Sequence, residues 1–353
     1  MKYIDRRTFV VGATALGASA ALGGTLAGCN SDNEMVEPEG ETPEVSENPE
    51  LAPENVPEEI PAPSQDSTDS VPVYFTDDIS PDGLMAVYRE LAWNPEGSVA
   101  VKVTTGEPGG HNFLQPDFIK GLVDEVSGTI IECNTAYGGS RSSTQSHYQV
   151  AEDHGFTAIA AVDIMDENGS ESFAAPNGSH LPEVLVGANI GKYQSFISLA
   201  HFKGHAMGGF GGAIKNVSIG MSSSAGKYLI HSAGETSTSW RSAEQDSFLE
   251  SMAEATKAIA DGIENKIIYI NVMNRLSVDC DCDSNPAEPD MMDIGILASY
   301  DPVAVDQACV DLVYAAEDGQ SLKERIESRN GIHTLEHAAS IGLGSREYNL
   351  IKL

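Results

Sequence analysis

The sequence predicts an α/β protein in which a largely parallel sheet is flanked by helices, either as one body or as two lobes. From residue 71 onward, short runs of β-branched residues alternate with helical stretches, a pattern typical of repeated βαβ units. Hydrophobic residues make up 41% of the 353 residues, enough to bury a sizeable core. This composition excludes a wholly disordered chain and a protein with several membrane spans.

The elements follow in order. The run 98–104 (SVAVKVT) predicts a strand, 116–126 a helix and 129–133 a second strand; together they form one βαβ unit, because parallel strands need a crossover. Next come a predicted helix at 142–154 and predicted strands at 157–162, 183–188 and 193–200. The last third predicts helix 243–264, strands 266–273 and 293–298, helix 301–316 and a short helix from 333. Asp301 and Pro302 are suited to the N-cap and first turn of the helix at 301.

Residues 1–28 indicate export. Arg6 and Arg7 precede an apolar run of small residues, an arrangement that resembles a twin-arginine signal. The run ends in Leu26-Ala27-Gly28-Cys29, which resembles the lipobox of bacterial lipoproteins, where the cysteine is lipidated and becomes the first mature residue. An ordinary signal peptide or a short anchor helix is the alternative. We therefore expect a bacterial extracytoplasmic protein that is anchored to the membrane by lipid on Cys29 and does not span it.

Charge separates the remaining chain into two predicted regions. Residues 29–70 contain 13 acidic residues, 7 prolines and no Lys or Arg, which is typical of a solvated, disordered tether. Residues 71–353 form the predicted α/β domain and are also acidic. The whole chain has a formal net charge of -33, which argues against nucleic acid as a partner and leaves a small-molecule ligand and the membrane as the expected ones.

The densest chemistry lies in residues 201–231, which contain three histidines and three lysines. Five glycines within 204–212 predict a loop that a ligand can approach closely. If a helix begins at Ala213, its free N–H groups would bind an anion such as a phosphate. Imidazoles here would transfer protons or ligate a transition metal, whereas the alternative is a hydrogen-bonded turn with surface histidines.

Four segments together resemble the family called domain of unknown function 362, over about residue 72 to the C-terminus. They are 201–227, the segment from Asn271, the run Asp279-Cys280-Asp281-Cys282-Asp283, and 293–307. Members of this family are often labelled iron–sulfur centre proteins. The chain lacks the pair of four-cysteine motifs that ferredoxin-bearing members insert after the segment equivalent to His231, so no conventional iron–sulfur cluster is expected.

A local resemblance to the nickel-pincer lactate racemases covers about thirty residues. It rests on the order of His205, Gly211-Gly212, Lys215 and His231, although Asn216 follows the lysine and the downstream Pro-Gly of those enzymes is absent. The resemblance implies that Lys215 tethers a pyridinium-type cofactor beside Gly211, Gly212 and Asn216. It also implies that His231 ligates the nickel of that cofactor and that His205 exchanges a proton.

Two further side chains are candidates for the same site. His111 follows a glycine-rich turn and is the candidate for the first catalytic histidine of that resemblance, with an exposed loop residue as the alternative. Arg141 follows Tyr137-Gly138-Gly139-Ser140 and would clamp a carboxylate or phosphate in bidentate fashion.

The cysteines fall into two classes after Cys29. Cys133 and Cys309 lie in apolar patterns and are predicted core residues. Cys280 and Cys282 are flanked by aspartates, and three interpretations of this pair are open. The pair is a set of metal ligands, a disulfide formed after export, or two thiols in a turn. If strands 193–200 and 266–273 are parallel neighbours, their loops open on one edge of the sheet. Cys280 and Cys282 would then lie near His201 or His205, a ligand set suited to zinc, iron or nickel.

Two functions are compatible with these features. The first is a cell-envelope enzyme, an oxidoreductase or racemase-like protein acting on a small carboxylate with a metal or a lysine-tethered cofactor. The second is a lipoprotein that binds a solute or metal without catalysis. Convergence of His205, Lys215 and His231 on one enclosed cavity would favour the enzyme, and an open cleft would favour the binding protein.

Overall fold

The computed structural model describes residues 70–176 and 178–353. In this part of the chain the strands are β1 (Val71–Thr76), β2 (Val99–Lys102), β3 (Thr129–Glu132), β4 (Val162–Ile164), β5 (Ser170–Ala174), β6 (Glu183–Gly187), β7 (Ser195–His201), β8 (Lys203–His205), β9 (Gly209–Gly211), β10 (Ile267–Met273), β11 (Gly295–Ser299) and β12 (Tyr348–Lys352). The helices are α1 (Pro81–Glu90), α2 (Pro116–Glu125), α3 (Thr144–Asp153), α4 (Ala213–Met221), α5 (Ser224–His231), α6 (Gln245–Gly262), α7 (Pro302–Ala315), α8 (Gln320–Ser328) and α9 (Ile332–Ser340).

Eight of these strands form one central sheet in the order β12-β1-β11-β10-β7-β2-β3-β4. Its neighbours are parallel except where β11 pairs with β1 and with β10. Two small antiparallel pairs, β5 with β6 and β8 with β9, lie outside it. The predicted α/β class with a mostly parallel sheet is confirmed, and a single central sheet takes the place of two lobes.

Helices cover both faces of the sheet. The central strands β7 and β10 are buried along their whole length. Their sequences are therefore mostly apolar and do not alternate between apolar and polar residues. Alternate side chains enter two cores: Phe196 packs in the core that contains α4, α6 and α7, and Ile197 in the core that contains α1 and α2. Cys133 and Cys309 are buried in the first of these, as predicted.

Most predicted elements are present with shorter bounds, and two differ. The predicted strand 157–162 is instead a 3-10 turn over Phe156–Ala158 followed by β4. Gly155 adopts a positive φ of 85° after α3 and Phe156 enters the core, so the chain turns before it can extend. The predicted strand 183–188 forms β6, which pairs with β5 and not with the central sheet.

The predicted neighbour relation that positions the site is confirmed. Strand β7 pairs with β10 in parallel, and β2 and β3 continue the parallel set. Lys102, Glu132 and His201 are the last residues of β2, β3 and β7. Because parallel strands end at one edge of the sheet, the loops after these strands meet there.

The predicted signal (1–28), Cys29 and the predicted tether up to residue 69 lie outside the described residues. Among the residues that are described, no helix combines the length and the hydrophobicity needed to cross a bilayer.

Candidate active site

A cavity of about 90 Å³ lies at this edge of the sheet, and we call it the inner cavity. Loops and first turns that follow the parallel strands supply its wall. The side chains that line it include Lys102, Glu132, Tyr137, Arg141, Lys215, Asn216, Lys227, His231, Trp240 and Cys282.

The wall of the inner cavity is positively charged although the protein as a whole is acidic. It carries Lys102, Arg141, Lys215 and Lys227 against a single carboxylate, Glu132. Glu132 lies 3.0 Å from Lys102 Nζ and 3.2 Å from Arg141 Nη1. Burial alone would raise the pKa of Glu132, but the two cations lower it to about 2. The excess positive charge makes the cavity suited to an anionic group such as a carboxylate.

Lys215, in the first turn of α4, faces this cavity without a hydrogen bond or ion pair to any described residue. Burial and the nearby charge of Lys203 lower the pKa of Lys215 to about 7. A substantial fraction of the amine is therefore neutral at neutral pH. A neutral amine has a free lone pair, which makes Lys215 a nucleophile.

His231, the last residue of α5, lies on the same wall. Its Nδ1 is 2.7 Å from the carbonyl oxygen of Lys227, which only accepts, so Nδ1 carries the proton and donates it. Burial lowers the pKa of His231 to about 4, so the ring is neutral. Nε2 keeps its lone pair and is able to accept a proton or ligate a metal.

His205 lies beside the inner cavity and does not line it. Its Nδ1 accepts a hydrogen bond of 2.8 Å from the Gly208 amide. Burial lowers the pKa of His205 well below its usual range, so in the neutral ring the proton is on Nε2. His205 therefore presents an N–H donor.

The predicted approach of the cysteine turn to a histidine is present. A ligand nitrogen of His205 and the sulfurs of Cys280 and Cys282 lie within 4.8 Å of one another. The two sulfurs are joined in a disulfide, so in this state they are not thiolate ligands. A metal on His205 Nε2 would also require a proton on Nδ1, where Gly208 already donates.

His201 does not fit the metal role predicted for it. Its Nδ1 lies 3.0 Å from the Asp281 carboxylate and its Nε2 lies 2.6 Å from the carbonyl oxygen of Asn274. Both nitrogens therefore face hydrogen-bond acceptors of the protein, and neither is directed toward a metal. Asp281 also pairs with Lys203 Nζ at 2.8 Å. Burial would raise the pKa of Asp281, but His201 and Lys203 hold it well below its usual range, so these groups fasten the cysteine turn to β7 and β8.

His111 does not fit the catalytic role predicted for it either. Its side chain is 55% exposed, and its Nε2 lies 3.3 Å from a carboxylate oxygen of the more exposed Glu288. His111 lies in the exposed loop that follows β2, and its backbone carbonyl accepts a hydrogen bond from Arg275 Nη1. The imidazole lines neither the inner cavity nor the larger cleft described below.

The predicted anion site at the start of α4 is filled by the protein itself. Asp306, in α7, accepts from the amides of Ala213 at 2.7 Å and Ile214 at 3.0 Å. A Cβ on Gly212 would lie 2.3 Å from Asp306 Oδ1, and one on Gly211 would lie 3.1 Å from Lys215 Cδ. The missing side chains of these glycines therefore make room for Asp306 and Lys215, where a contact with a cofactor was predicted.

Arg141 and Asn216 line the inner cavity with most of their polar groups already bound. Arg141 Nε donates to Glu107 at 3.0 Å and Nη2 lies 3.1 Å from the Tyr137 hydroxyl. Arg141 therefore contributes charge to the wall and is not the open bidentate clamp that was predicted. Asn216 Nδ2 donates to the Lys102 carbonyl, which holds α4 against β2.

A wider cleft of about 500 Å³ adjoins the inner cavity, and we call it the outer cleft. Tyr137 and Cys282 line both, so these two side chains form the boundary between them. The outer cleft also exposes the acidic residues Glu107, Asp279 and Asp283.

Lys102 and Glu132 were not among the predicted site residues, yet they build the charged wall. A signal was present in the sequence: each is an ionisable residue at the end of an apolar run that becomes a fully or largely buried parallel strand. Charged residues are almost never fully buried without a partner, so this placement indicates a paired, functional environment.

Comparisons with known proteins place the chain in a family. No curated protein matches the chain in sequence. Its fold is similar to that of the lactate racemase apoprotein from Thermoanaerobacterium thermosaccharolyticum, with a TM-score of 0.42 and 10% identity, covering 68% of this chain and 56% of that one. The profile described as Domain of unknown function (DUF362) matches residues 99–311, more than half of the chain, so the protein belongs to the DUF362 family.

Proposed function

We propose that the protein is an enzyme that binds a small carboxylate in the inner cavity and carries out chemistry at Lys215 and His231. The observation that carries this proposal is the Lys215 amine, which faces a cationic cavity without a partner and has a pKa of about 7. An unpaired lysine among other cations destabilises the fold, and such groups are concentrated at functional sites.

Different residues of the cavity wall bind the ligand and transfer the proton. Lys227 and Lys102 supply positive charge for the carboxylate of the ligand. The neutral amine of Lys215 is available for covalent attachment to an electrophilic carbon. His231 Nε2 is the proton acceptor on the same wall, since its Nδ1 is held by the Lys227 carbonyl.

The cavity also fits the lysine-tethered pyridinium-type cofactor that the sequence resemblance implies. Lys215 would hold the organic group covalently, and the lone pair on His231 Nε2 would ligate its metal, with nickel, zinc or iron as candidates. When bound, such a group supplies a hydride acceptor. The chain's own part is to hold the amine unpaired, to keep His231 neutral and to position the carboxylate.

The proposal includes a location outside the cytoplasm, with lipid on Cys29 as the anchor. The Cys280–Cys282 disulfide supports this part, because disulfides persist in oxidising compartments and are rare in the cytosol.

The alternative, a lipoprotein that binds a solute or metal without catalysis, would use the same cavity. The convergence of Lys215 and His231 on one small cavity favours chemistry, because a binding protein has no need for an unpaired amine beside a neutral imidazole. His205 lies outside the cavity, although the charge on the protonated fraction of Lys215 acts on it.

The test is the intact mass, peptide map and metal content of the protein purified from its native host. We expect a mass adduct on the peptide that contains Lys215, together with a stoichiometric metal. Lys215→Arg should lose both, whereas His231→Gln should keep the adduct and lose the metal. The matched control is Lys257→Arg, on a partly exposed lysine paired with Asp261. An unmodified Lys215 in metal-free native protein would contradict the cofactor-dependent proposal.

A further inference from the structure

The Cys280–Cys282 disulfide lies where a molecule in the outer cleft meets the inner cavity. Both residues line the outer cleft, and Cys282 also lines the inner cavity. Cys280 is only 6% exposed, whereas Cys282 is partly exposed. Cys282 is therefore the more accessible cysteine of the pair for a molecule in the cleft.

We propose that Cys280–Cys282 is a redox-active disulfide that exchanges with a small thiol entering through the outer cleft, with Cys282 as the sulfur attacked and Cys280 as the leaving sulfur. This inference does not depend on the chemistry proposed for Lys215.

The exchange balances in two steps. A thiolate of the small thiol attacks Cys282 Sγ; a new S–S bond forms to Cys282, the Cys280–Cys282 bond breaks, and Cys280 leaves as a thiolate that takes up a proton. A second molecule of thiol attacks the mixed disulfide at the sulfur of the first. The small thiol is oxidised to its symmetrical disulfide, and the protein is left with two thiols.

The surroundings of Cys280 suit a leaving thiolate. A ring nitrogen of His205 lies within 4.8 Å, and the ring carries its N–H on Nε2 because Nδ1 accepts from the Gly208 amide. The positive charges that act on His205 come from the protonated fraction of Lys215 and from Lys203 and Arg325. Donors and cations of this kind lower the pKa of a thiol and make it a better leaving group.

The backbone of the turn is held independently of the sulfur–sulfur bond. Asp281, between the two cysteines, pairs with His201 and Lys203, and its carbonyl accepts from the Glu107 amide at 3.0 Å. The disulfide itself closes a very short loop, so it removes little chain entropy from the unfolded state. After reduction the two sulfurs should therefore stay close together, and the bond should form again.

The other cysteines of the described residues do not compete. Cys133 and Cys309 are 2% and 0% exposed, and burial raises the pKa of both thiols. A thiol-reactive probe on the native protein therefore reports on Cys280 and Cys282 in this part of the chain.

The experiment uses the full chain in detergent, oxidised first and then titrated with 2-mercaptoethanol and its disulfide, with alkylation and peptide mapping as the readout. We expect reversible reduction of this pair without unfolding. We also expect Cys280→Ser, which leaves Cys282, to form the mixed disulfide at least about ten-fold faster than Cys282→Ser, which leaves the shielded Cys280. A disulfide that resists millimolar thiol until urea is added, or equal rates for the two variants, would overturn the proposal.

The positioning role of His205 has its own readout. In the Cys282→Ser background, His205→Asn keeps an acceptor for the Gly208 amide and removes the Nε2–H. We expect the midpoint of the pH dependence of Cys280 alkylation to move upward. His180→Asn is the control, because His180 pairs with Glu250 elsewhere. A midpoint that is unchanged in His205→Asn, or equally shifted in His180→Asn, would remove His205 from this role.

Discussion

Asp306 shows how one buried side chain prepares the site without touching a ligand. Its carboxylate caps the first turn of α4 and also accepts from Asn271 Nδ2 at 2.7 Å. Burial raises the pKa of Asp306 to about 6, and the donors around it offset part of that cost. Because Lys215 lies in the turn that Asp306 caps, the position of the reactive amine depends on this carboxylate.

Removal of this cap should destabilise the protein. Asp306→Ala leaves two amide N–H groups and Asn271 without their acceptor, and we expect a loss of about 2–4 kcal/mol in the free energy of unfolding. Asp306→Asn retains one acceptor oxygen and should cost less. Urea unfolding measures both, with the exposed Asp261→Asn as a control that should change stability by less than about 0.5 kcal/mol. A loss below about 1 kcal/mol for Asp306→Ala would show that the cap contributes little.

At the scale of elements, helices α6 and α9 are joined by a cluster of histidines and carboxylates. Glu250, on α6, lies 2.6 Å from His180 Nε2 and 2.8 Å from His333 Nε2. His337 approaches Glu254 at 3.5 Å, and His333 Nδ1 approaches Glu336 at 3.5 Å. Burial would lower the pKa of His333, but Glu250, Asp246 and Glu336 raise it above 6.5. Burial would likewise raise the pKa of Glu250, and its histidine partners lower it below 4.5.

These shifts predict the direction of a pH effect on stability. The contribution of His333 is fully present below its unfolded pKa of 6.5 and is lost as pH rises through the higher folded pKa. The contribution of Glu250 is present above 4.5 and is lost as pH falls through its lower folded pKa. The α6–α9 contact should therefore be most stable between these two values.

The variant His333→Gln tests this contact. We expect it to reduce stability at about pH 6 and to have a smaller effect at about pH 8, with a difference below about 1 kcal/mol because the pair is partly exposed. The measurement is urea unfolding at both pH values. His111→Gln, whose side chain is more exposed, is the matched control. An effect of His333→Gln that is the same at both pH values would contradict the assignment.

At the scale of the whole molecule, an acidic protein encloses a cationic cavity. The formal net charge of -33 keeps other anions away from the surface, while the basic side chains of the inner cavity attract a carboxylate at one place. The proposed anchor would hold this cavity at a membrane surface, which restricts its ligand to molecules found outside the cytoplasm.

The anchor is tested by replacing one cysteine. Cys29→Ala should move the protein from the detergent phase to the aqueous phase in a detergent partition of whole cells, because the attached acyl chains supply the membrane affinity. Ser31→Ala is the control and should stay in the detergent phase. If Cys29→Ala also partitions with detergent, the lipid assignment is wrong.

Part of the fold follows from the sequence alone. The β-branched runs that became β2, β7 and β10, and the Asp301-Pro302 start of α7, depend on residues next to one another in the chain. The condition that β7 and β10 are parallel neighbours, on which the predicted approach of the cysteine turn to a histidine depended, is met in the structure. A helical crossover between two buried strands favours that arrangement. Whether His205, Lys215 and His231 converge on one cavity was an open question in the sequence; in the structure Lys215 and His231 line one cavity and His205 does not.

Only the tertiary structure decided which groups are free and which are engaged. His201 and Asp281 are 80 residues apart, Asp306 and Ala213 are 93 apart, and Lys102 and Glu132 come from neighbouring strands. In the sequence, His201 and His231 are equivalent candidates for a metal. In the fold, both ring nitrogens of His201 face acceptors of the protein, whereas His231 has a partner at Nδ1 and a free lone pair on Nε2. The two histidines differ because hydrogen bonding depends on atoms that meet only when distant segments pack together.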